Sequence, residues 1–578
     1  MGRDRNKDEY IIEYHSQGLM HQAIHNIAQL CAEKGITKAV ISPGSRSAPL
    51  TLAFSRHPDI ACYIIPDERT ASFFALGMAQ STGETIALIC TSGSAAYNYA
   101  PGIAEAFYSQ VPLLILTADR PWEWIDQNDG QTIHQDNIYG KHVKSSIRLP
   151  DHTEHPDAEY GVYRAVNQAI NSGREFPMGP VHINIPLREP LYPQGEINFG
   201  KVPLITAVTA ERHPTEKEIS GLKESMNTHK KILIVPGQGN YSEETIKLLS
   251  GLSEKGFTVV GDIISNTHDV SSIIQHQDLF LGLVDEKQKE LLQPDLLITF
   301  GRSVISKNLK LFLRTHRPKN HFHIQPDGEV ADPMMSLTHV IRWKIEDFLS
   351  VAEKHITNID NAYRQSWIHL NRKTKDTFDQ YNKEHSFGEM KAIAHLMHKL
   401  PAKSNLHLSN SMAVRYANAI GLKKTETRVW CNRGTSGIDG STSTMIGHAV
   451  ADPTFHYLIT GDVAFLYDRN AFWHNHLPEN IKILVLNNHG GGIFRMIDGP
   501  ARQPELRKYF ETEQNNTAAF LAEEYGFIYL TEEGKNLEGS IDALIESKTR
   551  TILEVFTDSP DNAALWSGLK SKIKNNLI

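Results

Sequence analysis

The residues best able to do chemistry sit where short apolar runs give way to helical sequence. Asp67-Glu68 follows the run IACYII at 60–65 and opens the helical pattern RTASFFALGMA. Acids in a first helical turn commonly satisfy N–H groups and the helix dipole, and the same position suits a carboxylate held in a cofactor cleft. Gly461-Asp462 ends a second run, Asn487-Asn488 ends the next, and Gly490-Gly491-Gly492 follows. A carboxylate, an amide and flexible backbone carbonyls from neighbouring strand ends make an oxygen-ligand set suited to Mg²⁺ holding a diphosphate. Any one of these residues is also an ordinary turn former, but turns alone would rarely produce the whole pattern.

Three further junctions could receive anions. Ser42-Pro43-Gly44-Ser45-Arg46-Ser47 follows the run KAVI and gathers hydroxyls, backbone N–H groups and a guanidinium around one anion-sized spot. Taken alone, serine capping is the simpler reading of that string. Cys90-Thr91-Ser92-Gly93-Ser94-Ala95 is small enough for backbone to approach a ligand, and tight helix packing explains it equally well. Ser411 and Arg415 stand i to i+4 on one expected helical face, and Asn432-Arg433-Gly434 follows the run TRVWC. Two arginines near one cleft imply carboxylate recognition, although each alone reads as a solvated surface residue. Gly237-Gln238-Gly239 invites a dinucleotide reading, yet Ser242 takes the third glycine's place and no downstream acid is well placed. A plain strand-to-helix turn is preferred there.

The elements that must position these residues alternate along the chain. KAVIS, IACYII, TIALICT, VPLLILTA and GPVHINIPL are short, β-branched runs separated by helix-length segments, the mark of a parallel doubly wound sheet. A second block opens after Pro- and Gly-containing sequence around 190–203, with KKILIVPG, FTVVGD, PDLLITFG and HFHIQPDG as strands. A polar helical stretch over about 341–385 leads to a third block carrying NLHLS, TRVWCN, FHYLIT, IKILVLNN and RTILEVF. The expected fold is α/β with three doubly wound, mostly parallel-sheet domains bounded at 1–195, 196–365 and 366–578. No residue-level repeat links the blocks.

Composition narrows the field. The 578 residues exceed one hydrophobic core, and 40% hydrophobic with 22% charged content is ordinary for a soluble protein. No apolar run approaches the roughly 18 residues needed to span a bilayer. The start MGRDRNKDEY has no apolar signal segment, and Asn6 stands where a myristoylation signal wants Ser or Thr, so a cytoplasmic location is expected. A net charge of −8 argues against a nucleic-acid surface but leaves small anionic substrates open. Cys31, Cys62, Cys90 and Cys431 sit singly in apolar segments and read as buried thiols, and the 28 histidines, lacking ligand spacing, as mostly surface or loop residues.

Taken together, SPGSRSAPL, DERTASFFALG, TSGSAAYNYAPGIAEA, LTADRP, GPVHINIPLREPL, NRGTSGIDGSTST and NNHGGGIF resemble the thiamine diphosphate (ThDP)-dependent enzymes. Within them, the SPGSRS and NRGTSGIDG strings are similar to the branch that joins 2-oxoglutarate to isochorismate on the route to menaquinone. The resemblance implies a transferase with pyrimidine-binding, central and diphosphate-binding domains in that order. It implies that Glu68 hydrogen-bonds the aminopyrimidine ring of ThDP and that Asp462, Asn488 and the Gly490 carbonyl coordinate Mg²⁺ or Mn²⁺. Ile438 would be the apolar residue that bends the cofactor, with Gly461, Ser92 and Gly93 lining it.

The same resemblance assigns Ser411, Arg415 and Arg433 to the 2-oxoglutarate-derived chain, and Ser45, Arg46, Arg120, Gln131 and Lys307 to isochorismate. Arg46, Arg415 and Arg433 join Glu68 as catalytic residues, and Ile493 and Phe494 complete the substrate pocket. Asn308 and Gly130 depart from what some members carry beside Lys307 and Gln131. The implied reaction is decarboxylation of 2-oxoglutarate on ThDP and conjugate addition of the remainder to isochorismate, in at least a homodimer, or a dimer of dimers. Rival readings are another ThDP-dependent 2-oxoacid decarboxylase, an acetolactate synthase-like ligase, or a non-catalytic ThDP-fold binding protein. Against the first two stand the lack of a His-His pair and of a convincing FAD glycine motif.

Overall fold

The computed structural model describes residues 21–193, 195–208, 212–357, 359–385, 387–422 and 426–577. The charged N-terminal stretch and Asn6 lie outside the described residues. Every strand pairing is parallel, in three sheets. The first holds β1 (Lys38–Ile41), β2 (Ala61–Ile64), β3 (Ile86–Cys90), β4 (Leu113–Asp119), β5 (Ser146–Arg148) and β6 (Val181–Pro186), in the order β2-β1-β3-β4-β6-β5. The second holds β7 (Ile232–Pro236), β8 (Thr258–Val259), β9 (Leu296–Phe300), β10 (Asn320–Ile324) and β11 (His339–Ile341), in the order β11-β10-β9-β7-β8. The third holds β12 (Asn405–Leu408), β13 (Arg428–Trp430), β14 (His456–Gly461), β15 (Ile481–Asn487), β16 (Ile528–Glu532) and β17 (Thr551–Phe556), in the order β13-β12-β14-β15-β17-β16. The fold is therefore the expected α/β architecture of three parallel sheets. The first and third repeat one strand order although their sequences do not.

Central strands such as β3, β4, β9 and β15 are buried along their whole length, which is why they read as unbroken apolar runs. Burial of each Leu, Ile, Val or Phe there contributes about 1.5–3 kcal/mol. Several histidines depart from the expected surface or loop positions. His182, His321, His323, His407 and His456 lie buried in strands, where each needs an internal partner: Thr117 for His182, Thr299 for His321 and His323, and one another for His407 and His456. Cys31, Cys90 and Cys431 are buried free thiols, whereas Cys62 is half-buried. No helix among the described residues is long and apolar enough to cross a membrane.

The chain forms two compact units. One contains the first sheet, residues 21–208, together with Asn432–Pro453 and Asp468–Pro478. The other contains the second and third sheets, residues 212–431, Thr454–Tyr467 and 479–577. In the first unit, the helix at Glu68–Thr82 crosses the helix at Ser441–Ala451 at backbone distance. A β-carbon on Gly77 would fall 2.1 Å from the Thr444 carbonyl oxygen, and one on Gly447 would fall 2.1 Å from that of Phe74. Glycine at both positions is what permits this approach.

Candidate active site

In the first unit, Asp67 and Glu68 divide the work that either acid could do. Asp67 is the helix cap: its Oδ1 accepts from the Thr70 amide at 2.9 Å and its Oδ2 from Asn470 Nδ2 at 2.7 Å. Glu68, the first helical residue, is half-buried at the carboxyl end of β2. Burial pushes its carboxyl above the ordinary range, with Asp67 adding to that, while its own amide and the Asn98 side chain pull the other way. A carboxyl shifted in this direction is suited to sharing a proton with a ring nitrogen.

The SPGSRS turn after β1 lies against the turn after β3. A β-carbon on Gly44 would stand 2.2 Å from that of Thr91. Gly93 has φ +83° and donates its amide to Gln135 Oε1 at 2.7 Å, and a β-carbon on it would stand 3.2 Å from the Cα of Gln131. Ser45, Arg46, Ser92, Gly93 and Gln131 are thereby gathered at the carboxyl ends of adjacent strands. Among the described residues, the buried hydroxyl of Ser92 has no hydrogen-bond partner. Arg46 is 7% exposed and already engaged, donating to the Leu187 carbonyl at 2.9 Å and lying 3.5 Å from Glu189. Arg120 likewise donates to the Gly130 carbonyl and pairs with Asp129. Ser45 Oγ is 3.1 Å from the Tyr192 hydroxyl.

The loop carrying Arg433 belongs to the same unit. Its anchor is Glu105, a fully buried acid on the helix Ala100–Tyr108. That carboxylate accepts from the amides of Gly434 and Thr435 at 2.8 and 2.7 Å, from Thr435 Oγ1 at 2.8 Å and from Ser109 Oγ at 2.7 Å. Three of these four donors come from the loop, and together they tie it to one buried carboxylate. Ile438 follows, half-buried, ahead of Gly440 at φ +74°. Glu105 escaped the sequence reading, although a lone acid in the apolar run APGIAEAFY was its signal.

In the second unit, Gly461 and Leu486 are register partners on β14 and β15, so Asp462 and Asn488 leave the same ends of adjacent strands. Asp462 is 2% exposed, and burial pushes its carboxyl up to about 6 against hydrogen bonds from Gln514 and from backbone amides. Gln514 Nε2 donates to its Oδ2 at 2.7 Å, and the Val463 amide to its Oδ1 at 2.8 Å. Asn488 donates through Nδ2 to Glu389 Oε1 at 2.6 Å. Its own Oδ1 is buried and meets no hydrogen-bond donor among the described residues. Burial also raises the Glu389 carboxyl to about 7.

The glycine turn is held in place by Glu511. Its carbonyl accepts the Gly491 amide at 2.7 Å, and its carboxylate pairs with Arg495 and accepts from Ser559. A β-carbon on Gly490 would stand 2.5 Å from that carbonyl. Among the described residues, no group of three or more His, Cys, Asp or Glu is arranged to hold a metal. A buried carboxylate and an orphaned amide oxygen leave adjacent strand ends, followed by a glycine turn with its backbone carbonyls, and these are donors of the kind a hard divalent cation takes.

Ser411 and Arg415 require a correction. The helix begins at Met412, and Ser411 precedes it with φ +70° and ψ −130°, so the two do not share a helical face by periodicity. What joins them is a hydrogen bond from Arg415 Nη1 to the Ser411 carbonyl. Lys307 opens the helix Lys307–Thr315 and is exposed. Its turn is held by Asp278, which accepts from Ser306 Oγ and the Asn308 amide, and by Asp262, which accepts from the Ser306 amide. Asn308 Nδ2 donates to the Asp278 carbonyl, so this departure from the family pattern serves the turn. At Gly237-Gln238-Gly239 the third position of the motif, Ser242, caps the helix Glu243–Glu254, as a plain strand-to-helix turn requires. Ile493 and Phe494 stand half-buried after the glycine turn, with Phe494 5.8 Å from the ring of Phe510.

The chain is similar to known proteins over almost its whole length. Residues 22–138 match the family described as thiamine pyrophosphate enzyme, N-terminal TPP binding domain, and residues 208–408 match the middle domain of thiamine pyrophosphate enzymes. A 2-succinyl-5-enolpyruvyl-6-hydroxy-3-cyclohexene-1-carboxylate (SEPHCHC) synthase of Cytophaga hutchinsonii is 44% identical over 96% of this chain and all of its own. The synthases of Flavobacterium psychrophilum and Bacteroides fragilis are 38% and 36% identical, over 93% and 96% of this chain and 96% and 100% of theirs. The chain belongs to the SEPHCHC synthase family of thiamine diphosphate-dependent enzymes.

Proposed function

We propose that this chain is a SEPHCHC synthase: with ThDP and Mg²⁺ it releases CO₂ from 2-oxoglutarate and adds the remaining four-carbon unit to isochorismate. The observation that carries the reading is the oxygen set after β14 and β15, with a buried Asp462 and an orphaned Asn488 Oδ1. It occurs in a chain alike over almost its whole length to synthases of that name. Bound ThDP supplies a carbon centre able to accept and then donate the electron pair of the departing carboxylate. Asp462, Asn488 and the Gly490 carbonyl would hold the divalent metal. Glu68 would hold a proton facing the cofactor's ring, and Ile438 would pack against the cofactor.

The remaining residues bind and neutralise. Arg415 and Arg433, with Ser411, take the carboxylates of the 2-oxoglutarate unit, and a guanidinium matches each in bidentate fashion. Ser45, Arg46, Arg120, Gln131 and Lys307 receive isochorismate. Arg46 and Arg120 then exchange their internal carbonyl and carboxylate partners for substrate carboxylates, and the acids they release, Glu189 and Asp129, stand at least partly in solvent, so no buried charge is left unpaired. Ile493 and Phe494 keep water from the reacting atoms. A homodimer, with each site assembled between subunits as in the family it resembles, and a cytoplasmic location belong to the same reading.

The test is product identification. Purified protein with ThDP, Mg²⁺, 2-oxoglutarate and isochorismate should yield the mass of the succinyl adduct. Turnover of pyruvate alone, or no adduct from this pair, would overturn the assignment.

A further inference from the structure

Glu389 carries no motif and stands outside every string that marks the family, yet it meets the metal-ligand residue directly. It begins the helix Glu389–Lys399 and is 2% exposed. Its amide donates to Asn562 Oδ1 at 3.1 Å, and Asn562 is in turn fixed to the Asp558 carbonyl and Thr557 Oγ1. Gly388, at φ +150°, lets the helix start press against Leu565, where a β-carbon would stand 2.8 Å from Cδ1. The carboxylate is thus delivered by a rigid backbone, and it accepts Asn488 Nδ2 at 2.6 Å.

We infer that Glu389 is the positioning residue that sets which end of the Asn488 amide faces the metal. A carboxamide presents an acceptor on one side and two donors on the other, and the two orientations differ only by a half-turn about the last side-chain bond. A cation is attracted by the oxygen and repelled by the NH₂ group. The bond runs from Asn488 Nδ2 to Glu389 Oε1, so it ties down the NH₂ end and leaves Oδ1 pointing away, which is the atom found buried without a donor. A helix N-terminus also favours an acid there for its own sake. That purely structural role needs no contact with Asn488 and would not alter metal affinity.

The inference rests on the reading of Asp462, Asn488 and Gly490 as the Mg²⁺–diphosphate site. It is tested by the Mg²⁺ concentration that half-saturates ThDP binding, followed by quenching of intrinsic fluorescence, with thermal unfolding of the cofactor-free protein as the control for folding. Glu389→Leu should raise that concentration about 10–100-fold, the usual cost of removing a partner that orients a metal ligand. Glu389→Gln, whose Oε1 still accepts from Asn488, should stay within about threefold of the parent. Should Glu389→Leu fail to fold, Asn488→Asp provides a second route. It sets two carboxylates against each other and should weaken Mg²⁺ binding, and adding Glu389→Gln should restore it by reversing donor and acceptor. Parent-like binding by Glu389→Leu, equal losses in Glu389→Leu and Glu389→Gln, or no rescue in the double variant would overturn the inference. Asn488→Ala separates the two readings: if it binds Mg²⁺ and ThDP normally, the metal site itself is misassigned, whereas loss there with parent-like Glu389→Leu refutes only the positioning role.

Discussion

Adjacent acids at one helix start do different work because their backbone positions differ. Asp67, at the cap, bends back to the Thr70 amide, and Glu68, one residue on, is left with its carboxyl at the strand's carboxyl end. Replacing Glu68 by Gln keeps shape and burial but removes the ability to hold and return a proton. Glu68→Gln should cut turnover by at least ~10²-fold. Exchange of the ThDP C2 proton, read by hydrogen–deuterium exchange, should fall with it, while Mg²⁺-dependent ThDP binding stays close to the parent's. Unchanged exchange would remove Glu68 from its role. At this scale the sequence singled out residues at strand-to-helix junctions, Glu68, Asp462 and Asn488 among them. It hid Glu389, Glu105, Glu511 and Gln514, which act by holding another residue. Their partners lie far along the chain, as with Glu105 and Thr435 or Glu389 and Asn488, and no local spacing records such a pairing.

The crossing of the helices at Glu68–Thr82 and Ser441–Ala451 connects the Glu68 position to the loop of Arg433 and Ile438, since the second helix begins just after that loop. Its closeness depends on Gly77 and Gly447, each facing a carbonyl of the other helix. A methyl group at either position must push the helices apart, because backbone cannot step aside as a flexible side chain can. Gly77→Ala and Gly447→Ala should each destabilise the protein by about 1–3 kcal/mol, despite alanine's better helix propensity. A urea unfolding midpoint equal to the parent's would contradict the tight crossing. Strands were legible where they carry a continuous apolar run, the exposed edge strand β2 included. The ones the sequence pattern passed over, β5, β11 and β16, are all sheet edges, short or half-exposed, and carry no continuous apolar run. The helix start at Met412 was misread by one residue because the positive φ of Ser411 leaves no trace in residue type.

At the scale of the whole molecule, the first and third sheets repeat one strand order, and in the proposed function each would offer the carboxyl ends of its strands to one half of the cofactor. Glu68 belongs to one compact unit and Asp462 and Asn488 to the other. If each site of the proposed homodimer combines halves from two subunits, inactive Glu68→Gln and Asp462→Ala proteins complement one another. Unfolding and refolding them together in equal amounts should restore about a quarter of parent activity, since half the dimers are mixed and one of the two sites in each is intact. No recovery, in mixtures shown to contain mixed dimers, would mean that each site lies within one subunit.

In the proposed function, decarboxylation and carbon–carbon bond formation are one coupled event on two anionic substrates. Its most direct measurement is CO₂ released from 2-oxoglutarate against isochorismate consumed, with ThDP and Mg²⁺ present. We predict equal amounts of the two, with isochorismate untouched when 2-oxoglutarate is withheld. Sustained CO₂ release with isochorismate unchanged would make the protein a simple decarboxylase and contradict the account.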